Sequence, residues 1–233
     1  RPCESIRAQG IGVSVVYSGT DTHGEPMSIY LASRRVPGLR TFVDEYAIGR
    51  RTCLVPIAAE PIENGDADVR AATAAVRAAD LEVESIAHAD GASEPAPPLR
   101  DFHVIVLGPG DPFYLLARLR ELGLDLQLRE AVSHGSVVVG IGAGAVVLGP
   151  AISPWIMASD FAPEDGMYLD GLHLTETVVL PHHDDPAHAE THAAIIERYG
   201  DAYPVVPLTD HQAVIVSSEG RRLIDGQPTT AGN

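Results

Sequence analysis

Short apolar runs alternate with longer amphipathic stretches over most of the chain. Runs that are apolar on both faces predict buried, mostly parallel strands with helices on either side. The runs that predict strands cover residues 28–32, 52–57, 81–86, 103–107 and 137–140. The stretches with helical spacing cover residues 36–48, 66–79, 113–122 and 126–133. This alternation predicts an α/β fold built on a doubly wound, mostly parallel sheet flanked by helices.

The last third of the chain has a different pattern. Short strands near turn residues are predicted over residues 172–180, 205–206, 213–217 and 222–224. They predict antiparallel additions at the edge of the sheet. The chain is expected to divide into an N-terminal extension with one strand at 11–17, a single α/β domain and a polar tail, over residues 1–26, 27–226 and 227–233. Residues 90–98 predict a surface loop.

The composition narrows the classes of function. Apolar residues make up 45% of the 233 residues, which is enough for a sizeable core. Because 16 basic residues stand against 32 acidic ones, with a formal net charge of −16, we expect no binding to nucleic acid or to an anionic membrane. No apolar run approaches the ~20 residues that cross a bilayer. Cys3 and Cys53 do not make a disulfide framework, and we expect a cytoplasmic protein.

The first candidate for chemistry is a glycine-rich turn between a predicted strand and a predicted helix. Residues 107–113 read Leu-Gly-Pro-Gly-Asp-Pro-Phe. Ligands of open parallel sheets bind beyond the carboxyl ends of the strands. A turn of this kind can direct backbone N–H groups at an anion or an oxyanion. A tight turn without any ligand explains the same residues, and both interpretations stay open.

The second candidate is the segment 139–145, Val-Gly-Ile-Gly-Ala-Gly-Ala, which again joins a strand to a helix. Its spacing is that of the nucleophile elbow, Gly-x-Ser-x-Gly, with Gly142 at the middle position. The elbow holds its middle residue in a strained backbone conformation, which glycine adopts freely. A change from serine to glycine would therefore keep the turn and remove the hydroxyl. The alternative is an ordinary glycine-rich turn that never held a nucleophile.

Several motifs together resemble one known family. Residues 108–113, 119–124 and 140–145 read Gly-Pro-Gly-Asp-Pro-Phe, Leu-Arg-Glu-Leu-Gly-Leu and Gly-Ile-Gly-Ala-Gly-Ala. They resemble the motifs Gly-Gly-Gly-Asn-Thr-Phe, Leu-Arg-x-x-Gly-Leu and Gly-x-Ser-Ala-Gly-Ala of the dipeptidase E and cyanophycinase family of serine peptidases. Segments elsewhere extend the similarity over about residues 27–225. The resemblance implies the class I glutamine amidotransferase-like fold, a flavodoxin-like three-layer sandwich.

The resemblance also implies a catalytic arrangement. Gly142 stands where the family has its nucleophilic serine, His182 stands at the general base, and Asp210 is the best match for the acid that orients this base. The chain therefore resembles a serine peptidase without its serine. Efficient peptide hydrolysis by the family's route is not expected, because removal of a nucleophile costs about 10⁶-fold in rate.

An oxyanion hole and a ligand-binding turn are implied in the same way. The N–H of Ala143 and a donor from the turn at Gly108 and Gly110 would bind the oxyanion, and Asp111 belongs to the same ligand-binding turn. Pro109 replaces a glycine of the family and supplies no N–H. If position 109 were the donor, the hole would be damaged as well.

Other nucleophiles are poorly placed in the sequence. Ser133 and Ser136 precede a predicted strand and should lie at the opposite end of the sheet from Gly142. Ser153 and Ser159 follow the next helix, so only loop folding could return them to the site. Cys53 lies inside a predicted strand and is interpreted as a buried hydrophobic residue.

The segment 181–192 is rich in histidine and aspartate. His188 and His192 are four residues apart on a predicted helix and share one face. With His182 or Asp184 they could bind zinc. The later histidines could equally be exposed on an acidic helix, and the resemblance explains His182 without a metal. We expect neither a metal nor a cofactor.

Three functions remain open on the sequence. The first is a non-hydrolytic homologue that binds a short peptide or an acidic metabolite, and the second is a repurposed enzyme in which His182 performs acid–base chemistry. The third is an active hydrolase of short Asp-containing peptides that uses another nucleophile or an activated water. The expected partner is a small molecule or a short peptide, and a homodimer is an open alternative.

Overall fold

A computed structural model describes residues 27–86, 97–158 and 169–226. The predictions for the extension 1–26, for residues 90–96 of the loop and for the tail 227–233 lie outside these residues. Within the described ranges, no helix combines the length and the apolar character needed to cross a membrane.

Seven strands form one sheet in the order β3-β2-β4-β5-β1-β8-β9, and β6 and β7 form a second, two-stranded sheet. The strands of the described residues are β1 Ile29–Ala32, β2 Arg51–Val55, β3 Glu82–Ser85, β4 Val104–Leu107, β5 Val137–Ile141, β6 Val178–Leu180, β7 Val205–Pro207, β8 Gln212–Ser217 and β9 Gly220–Asp225. The α-helices in the same ranges are α1 Leu39–Tyr46, α2 Gly65–Ala78, α3 Pro112–Glu121, α4 Leu124–Ser133, α5 Ala143–Val147 and α6 Ala189–Tyr199.

The strands β1 to β5 are parallel to their neighbours among themselves. Of these, β1, β2, β4 and β5 lie between two hydrophobic cores, whereas the edge strand β3 is mostly exposed. In β1, Ile29 and Leu31 belong to the core that includes Phe113 of α3, whereas Tyr30 belongs to the core that includes Phe42 of α1. This burial on both faces explains why the strand sequences are continuously apolar. The predicted doubly wound, mostly parallel sheet is confirmed.

The C-terminal strands agree with the prediction only in part. Strands β8 and β9 extend the sheet in antiparallel order, as predicted. Strands β6 and β7 instead pair with each other in parallel, outside the large sheet. The helix α6 connects them, and a helical crossover returns the chain in the same direction. The prediction of four antiparallel additions was therefore wrong for β6 and β7.

The predicted strand 172–180 was also too long, because only its last three residues form β6. Its first residues bond to the backbone at the C-terminal end of α5. The Leu172 N–H donates to the Val147 carbonyl, and the Leu174 N–H donates to the Leu148 carbonyl. His173 has a φ of 52°, which interrupts an extended conformation.

The register of β1 determines which residues meet at one edge of the sheet. Ala32 pairs with Ile141 of the parallel strand β5 and with Ala213 of the antiparallel strand β8. Carboxyl ends of parallel strands share an edge, and an antiparallel neighbour begins where they end. The residues after β1, after β5 and before β8 therefore lie side by side.

Candidate active site

A cleft of about 940 Å³ opens at this edge of the sheet. Open parallel sheets bind ligands at this position, beyond the carboxyl ends of their strands. Its lining includes Ser33 and Arg34 after β1, Gly110 after β4, Gly142 after β5, His182 after β6 and Asp210 before β8. The fold thus brings together groups from five strand ends.

The turn from β5 to α5 places residue 142 against the cleft. Gly142 has a φ of 55° and a ψ of −115° and immediately precedes α5. A Cβ at Gly140 would lie 2.6 Å from the Ala145 backbone, and one at Gly144 would lie 2.1 Å from the Leu107 carbonyl oxygen. Strand and helix therefore approach so closely that both flanking positions require glycine.

Position 142 has space for a side chain, whereas positions 140 and 144 do not. A Cβ at Gly142 would find its nearest neighbour, the Ser33 carbonyl oxygen, at an ordinary contact distance of 3.5 Å. Pro109 is the next neighbour at 3.6 Å. The backbone conformation at residue 142 is strained for residues other than glycine, but the space would accept a side chain. This is the geometry that an elbow needs.

His182 and Asp210 form a close pair beside this turn. The Nδ1 of His182 lies 2.6 Å from Oδ1 of Asp210. Burial opposes ionisation of the Asp210 carboxyl, but the hydrogen bond and charge of His182, the hydrogen bond from Ser33 and the charge of Arg34 outweigh it. The pKa of Asp210 is therefore lowered from its ordinary value. An ionised Asp210 orients the imidazole so that Nε2 is left for a ligand or a proton transfer.

Ser33 is the residue of this site that the sequence did not reveal. Its side chain, only 1% exposed, donates from Oγ to Oδ1 of Asp210 at 3.0 Å. The same oxygen accepts the backbone N–H of His182 at 2.8 Å. Ser33 therefore fixes the position of the His182 loop relative to the Asp210 carboxylate. Its position directly after a buried strand, at the ligand-binding edge, was the signal that could have identified it.

Ser33 gives a direct test of this arrangement. We expect Ser33→Ala to lower the free energy of unfolding by about 2 kcal/mol, because a buried N–H and a carboxylate each lose a partner. Denaturant unfolding measures the change. The matched control is Ser133→Ala, whose exposed hydroxyl donates to the Glu130 carbonyl, and its expected effect stays within about 0.5 kcal/mol. Equal losses in both variants would contradict the assigned role.

Two backbone N–H groups of the cleft lining are available as hydrogen-bond donors. Among the described residues, the N–H groups of Gly110 and Ala143 have no hydrogen-bond partner. Gly110 has a φ of 142°, and a Cβ there would lie 1.9 Å from the Ala58 carbonyl oxygen, so only glycine fits. Gly108 is not available as a donor, because its N–H donates to the Val55 carbonyl. Of the two glycines in this turn, Gly110 therefore remains as the candidate donor.

Asp111 has a structural role that the sequence did not assign to it. Its carboxylate accepts the Tyr114 N–H at 2.7 Å and caps the N-terminus of α3. Its own N–H donates to the Ala58 carbonyl. The residue fixes the turn that presents Gly110 and does not line the cleft. Its predicted contact with a ligand has no support in this geometry.

The described alternatives Cys53 and Ser136 are poor nucleophiles for this site, and Ser159 lies outside the described residues. Burial, with the charge of Glu84, raises the pKa of the Cys53 thiol to about 12, so this thiol stays protonated. Ser136 donates to the Phe102 carbonyl at the start of β5, the opposite end of that strand from Gly142. The Ser33 hydroxyl contacts the pair, and its hydrogen bonds go to Asp210 and to the His182 backbone.

The remaining histidines stack beside the pair. The ring centroid of His192 lies 5.4 Å from that of His183 and 5.6 Å from that of His188, with near-parallel planes. His188 lies 6.0 Å from His182. We call His183, His188 and His192 the histidine stack. Because His192 is fully buried, the interpretation of an exposed row of histidines was wrong for it.

The histidine stack is packed as part of a small core. Trp155 meets His192 edge-on, at 5.8 Å between ring centroids. Burial, with the charges of His183, His188 and His182, lowers the pKa of His192 to about 4. Across the described residues, no three histidine, cysteine or acidic side chains are arranged to hold a metal ion. The rings face one another instead of converging on a common point.

Comparisons with known proteins identify the family of this chain. The model of peptidase family S51 matches residues 28–224. An uncharacterized peptidase of Listeria innocua is 29% identical over 143 residues, which cover 60% of this chain and 65% of that protein. An uncharacterized peptidase of Listeria monocytogenes is 26% identical over 179 residues, 76% of this chain and 85% of that protein. Peptidase E of Citrobacter koseri is 32% identical over 140 residues, 60% of this chain and 58% of that protein.

Solved structures give the same fold. A crystal structure from Listeria monocytogenes EGD-e, named for peptidase E, superposes with a TM-score of 0.70 at 21% identity, covering 87% of this chain and all of that one. A peptidase from an acI-B1 actinobacterium superposes with a TM-score of 0.61 at 16% identity, covering 85% and 87% of the two chains. At these identities the likeness concerns the fold alone.

Proposed function

The chain belongs to peptidase family S51, and from this premise we propose that it is a non-hydrolytic member that binds a short peptide or an acidic metabolite. The observation that carries the proposal is at residue 142. The turn there has the shape and the space of a nucleophile elbow, yet glycine presents no side chain to the cleft. The groups that would bind a substrate carbonyl remain in place around it.

The binding part of the proposal rests on these remaining groups. Gly110 and Ala143 both line the cleft, and neither backbone N–H has a hydrogen-bond partner among the described residues. A carbonyl or carboxylate oxygen that accepts from both would be bound as in an oxyanion hole. His182, oriented by Asp210, adds a third polar contact. Without a hydroxyl at residue 142, the imidazole has no oxygen at that position to deprotonate, and no acyl intermediate forms there by the route of a serine peptidase.

The assembled His182–Asp210 pair favours a second candidate function. A hydrogen bond of 2.6 Å to an ionised carboxylate is the arrangement that stabilises an imidazolium during proton transfer. The pair could therefore move a proton on a bound small molecule without a covalent intermediate. This repurposed enzyme would use the same cleft and the same backbone donors as the binding protein.

One experiment separates these functions. Aspartyl-leucine serves as the probe, with binding measured by calorimetry and products measured by mass spectrometry. We expect saturable binding and no release of leucine above the protein-free blank. The variants are His182→Ala and, as a control, His134→Ala, whose exposed ring contacts the Glu130 carbonyl at the end of α4. Leucine release that His182→Ala abolishes would overturn the proposal in favour of a hydrolase. A product that retains both residues and depends on His182 would support the second candidate.

A further inference from the structure

Residues 181–185, the His182 loop, contact α6 through histidine side chains. The Nδ1 atoms of His183 in the loop and of His192 on α6 lie 3.2 Å apart, within hydrogen-bonding distance. His183 is exposed and His192 is completely buried, so the pair joins the surface of the loop to the interior. His182 has a φ of 59°, a conformation that residues other than glycine keep only when the surrounding structure holds them there. The loop therefore depends on its contacts to place His182.

The hydrogen bond between the His183 and His192 rings tolerates a limited number of protons. One Nδ1 must carry a proton to donate, and the other must be free to accept it. If both rings were imidazolium ions, two N–H groups would oppose each other at 3.2 Å. The Nε2 of His192 is buried and has no hydrogen-bond partner among the described residues, so a charged His192 would also carry an unpaired N–H. The attached loop therefore excludes the doubly protonated pair.

The groups around His192 make a positive charge on its ring still less favourable. The charges that act on this ring are those of His183 and His182 in the loop and of His188 in the turn before α6. Of the other elements packed on α6, β7 is apolar throughout and the 3-10 turn after α5 presents Trp155. Protonation of any stack member thus adds to a cluster of like charges.

The two carboxylates of the His182 loop are bonded elsewhere. Asp184 accepts the Asp210 N–H, and Asp185 accepts the Ala187 N–H in the turn that leads into α6. Neither carboxylate is among the charges that act on His192. An added proton on this ring is therefore not offset by either of them.

We propose that the histidine stack attaches the His182 loop to α6 near neutral pH and releases it as the pH falls below ~6. In the released loop both rings of the His183–His192 pair can be charged, because water solvates each of them. Protons therefore favour release over attachment. The loop also holds Asp210 through Asp184, so its release loosens the His182–Asp210 pair. The site is thus fully assembled near neutral pH and loosened in acid.

Hydrogen exchange of backbone amides tests this attachment without any ligand, so its outcome is independent of the proposed function. The probes are the N–H groups of His182 and His183, which donate to Oγ of Ser33 and to the Leu208 carbonyl. Exchange is measured by NMR at pH ~7 and pH ~5, corrected for the intrinsic rate, with and without a low concentration of denaturant. Amides of the central strand β5 report global unfolding in the same spectra.

Two variants change the attachment from opposite sides, and a third is the control. His192→Phe keeps an aromatic ring on α6 that cannot be charged. His183→Ala removes the exposed partner on the loop. His134→Ala changes an exposed histidine at the end of α4, whose ring contacts the Glu130 carbonyl.

In the unchanged protein and in His134→Ala, protection of the two loop amides should fall about 20-fold from pH ~7 to pH ~5. This is the change expected for one ring with a pKa of about 4 in the attached state and about 6.5 after release. The fall should not depend on denaturant, because the opening is local. His192→Phe should reduce it to less than about threefold. In His183→Ala, protection should already be low at pH ~7 and change little in acid.

Three results would overturn the inference. The first is equal protection at both pH values in the unchanged protein. The second is a fall that persists in full in His192→Phe or in His183→Ala, because another group would then bind the proton. The third is a fall that equals that of the β5 amides and depends on denaturant, because global unfolding would then cause it. His183→Ala decides the question if His192→Phe does not fold, since residue 183 is exposed.

Discussion

Gly142→Ser is expected to create a peptidase. The new Cβ has its nearest neighbour at 3.5 Å, so the side chain fits without displacing the backbone of Ser33. The hydroxyl would then stand beside the His182 base and the open donors of Gly110 and Ala143. Removal of such a nucleophile costs about 10⁶-fold, and the remaining groups retain about 10³–10⁴-fold over water. We therefore expect hydrolysis of aspartyl-p-nitroanilide to rise by about 10³-fold or more.

The peptidase activity gained by Gly142→Ser should be accompanied by a loss of folding stability. A side chain at a φ of 55° is strained, and residues held in such conformations cost about 1–3 kcal/mol. Gly142→Ala is the control, since it carries the same strain and no hydroxyl. It should lose the same stability and gain no activity.

Covalent labelling identifies the atom responsible for a gain in rate. A fluorophosphonate should modify residue 142 in Gly142→Ser, and the additional change His182→Ala should abolish this labelling. A folded Gly142→Ser protein that still binds aspartyl-leucine, yet neither hydrolyses the substrate nor reacts with the fluorophosphonate, would show that this turn is not a nucleophile elbow.

Acidification is expected to destabilise the fold through His192. Burial lowers its pKa to about 4 in the folded protein, against about 6.5 in an unfolded chain. Above pH ~6.5 the ring is neutral in both states and the full stability is present. Between these two values the unfolded chain binds a proton that the folded protein does not, so stability falls as the pH falls. The free energy of unfolding that is lost through His192 reaches about 2 kcal/mol at pH ~5 and about 3 kcal/mol at pH ~4.

Paired variants isolate this contribution from that of the many carboxylates. Denaturant unfolding between neutral pH and pH ~5 should show a shallower decline for His192→Phe, which keeps an aromatic ring between His183 and His188. His134→Gln is the control, because His134 is exposed. Trp155, the single tryptophan of the chain, adjoins His192 and reports its protonation by fluorescence. Identical pH dependence in the unchanged protein and in His192→Phe would refute the assignment.

The layered sheet could be predicted because its signal is local and repeated. Each of β1, β2, β4 and β5 is apolar on both faces, and β1, β2 and β4 are each followed by a stretch with helical spacing. The pairing of β6 with β7 has no comparable pattern in the sequence. A three-residue strand carries no periodicity, and its parallel pairing depends on how α6 packs. Boundaries such as residue 172 failed for the same reason, because backbone contacts with residues after α5 replaced the strand.

Residues of the candidate site could be predicted from the sequence where they lie in a recognisable motif. Gly142 and Gly110 belong to such motifs, and His182 lies in a segment that resembles the family's. Ser33 does not, since its two partners are 149 and 177 residues away. The spacing of His188 and His192 correctly indicated a shared face. It gave no information on His183, which reaches His192 from the preceding loop, or on the complete burial of His192.

The contact between Ser33 and Asp210 has a consequence for how the protein is made. These residues flank adjacent strands in space, yet 177 positions separate them along the chain. A ribosome releases the chain from its N-terminus, so most of the sheet can assemble before Asp210 emerges. Contacts between such distant positions also form slowly. The cleft is therefore completed at the end of synthesis, and a prematurely terminated chain keeps the turn at Gly142 but has no carboxylate to orient His182.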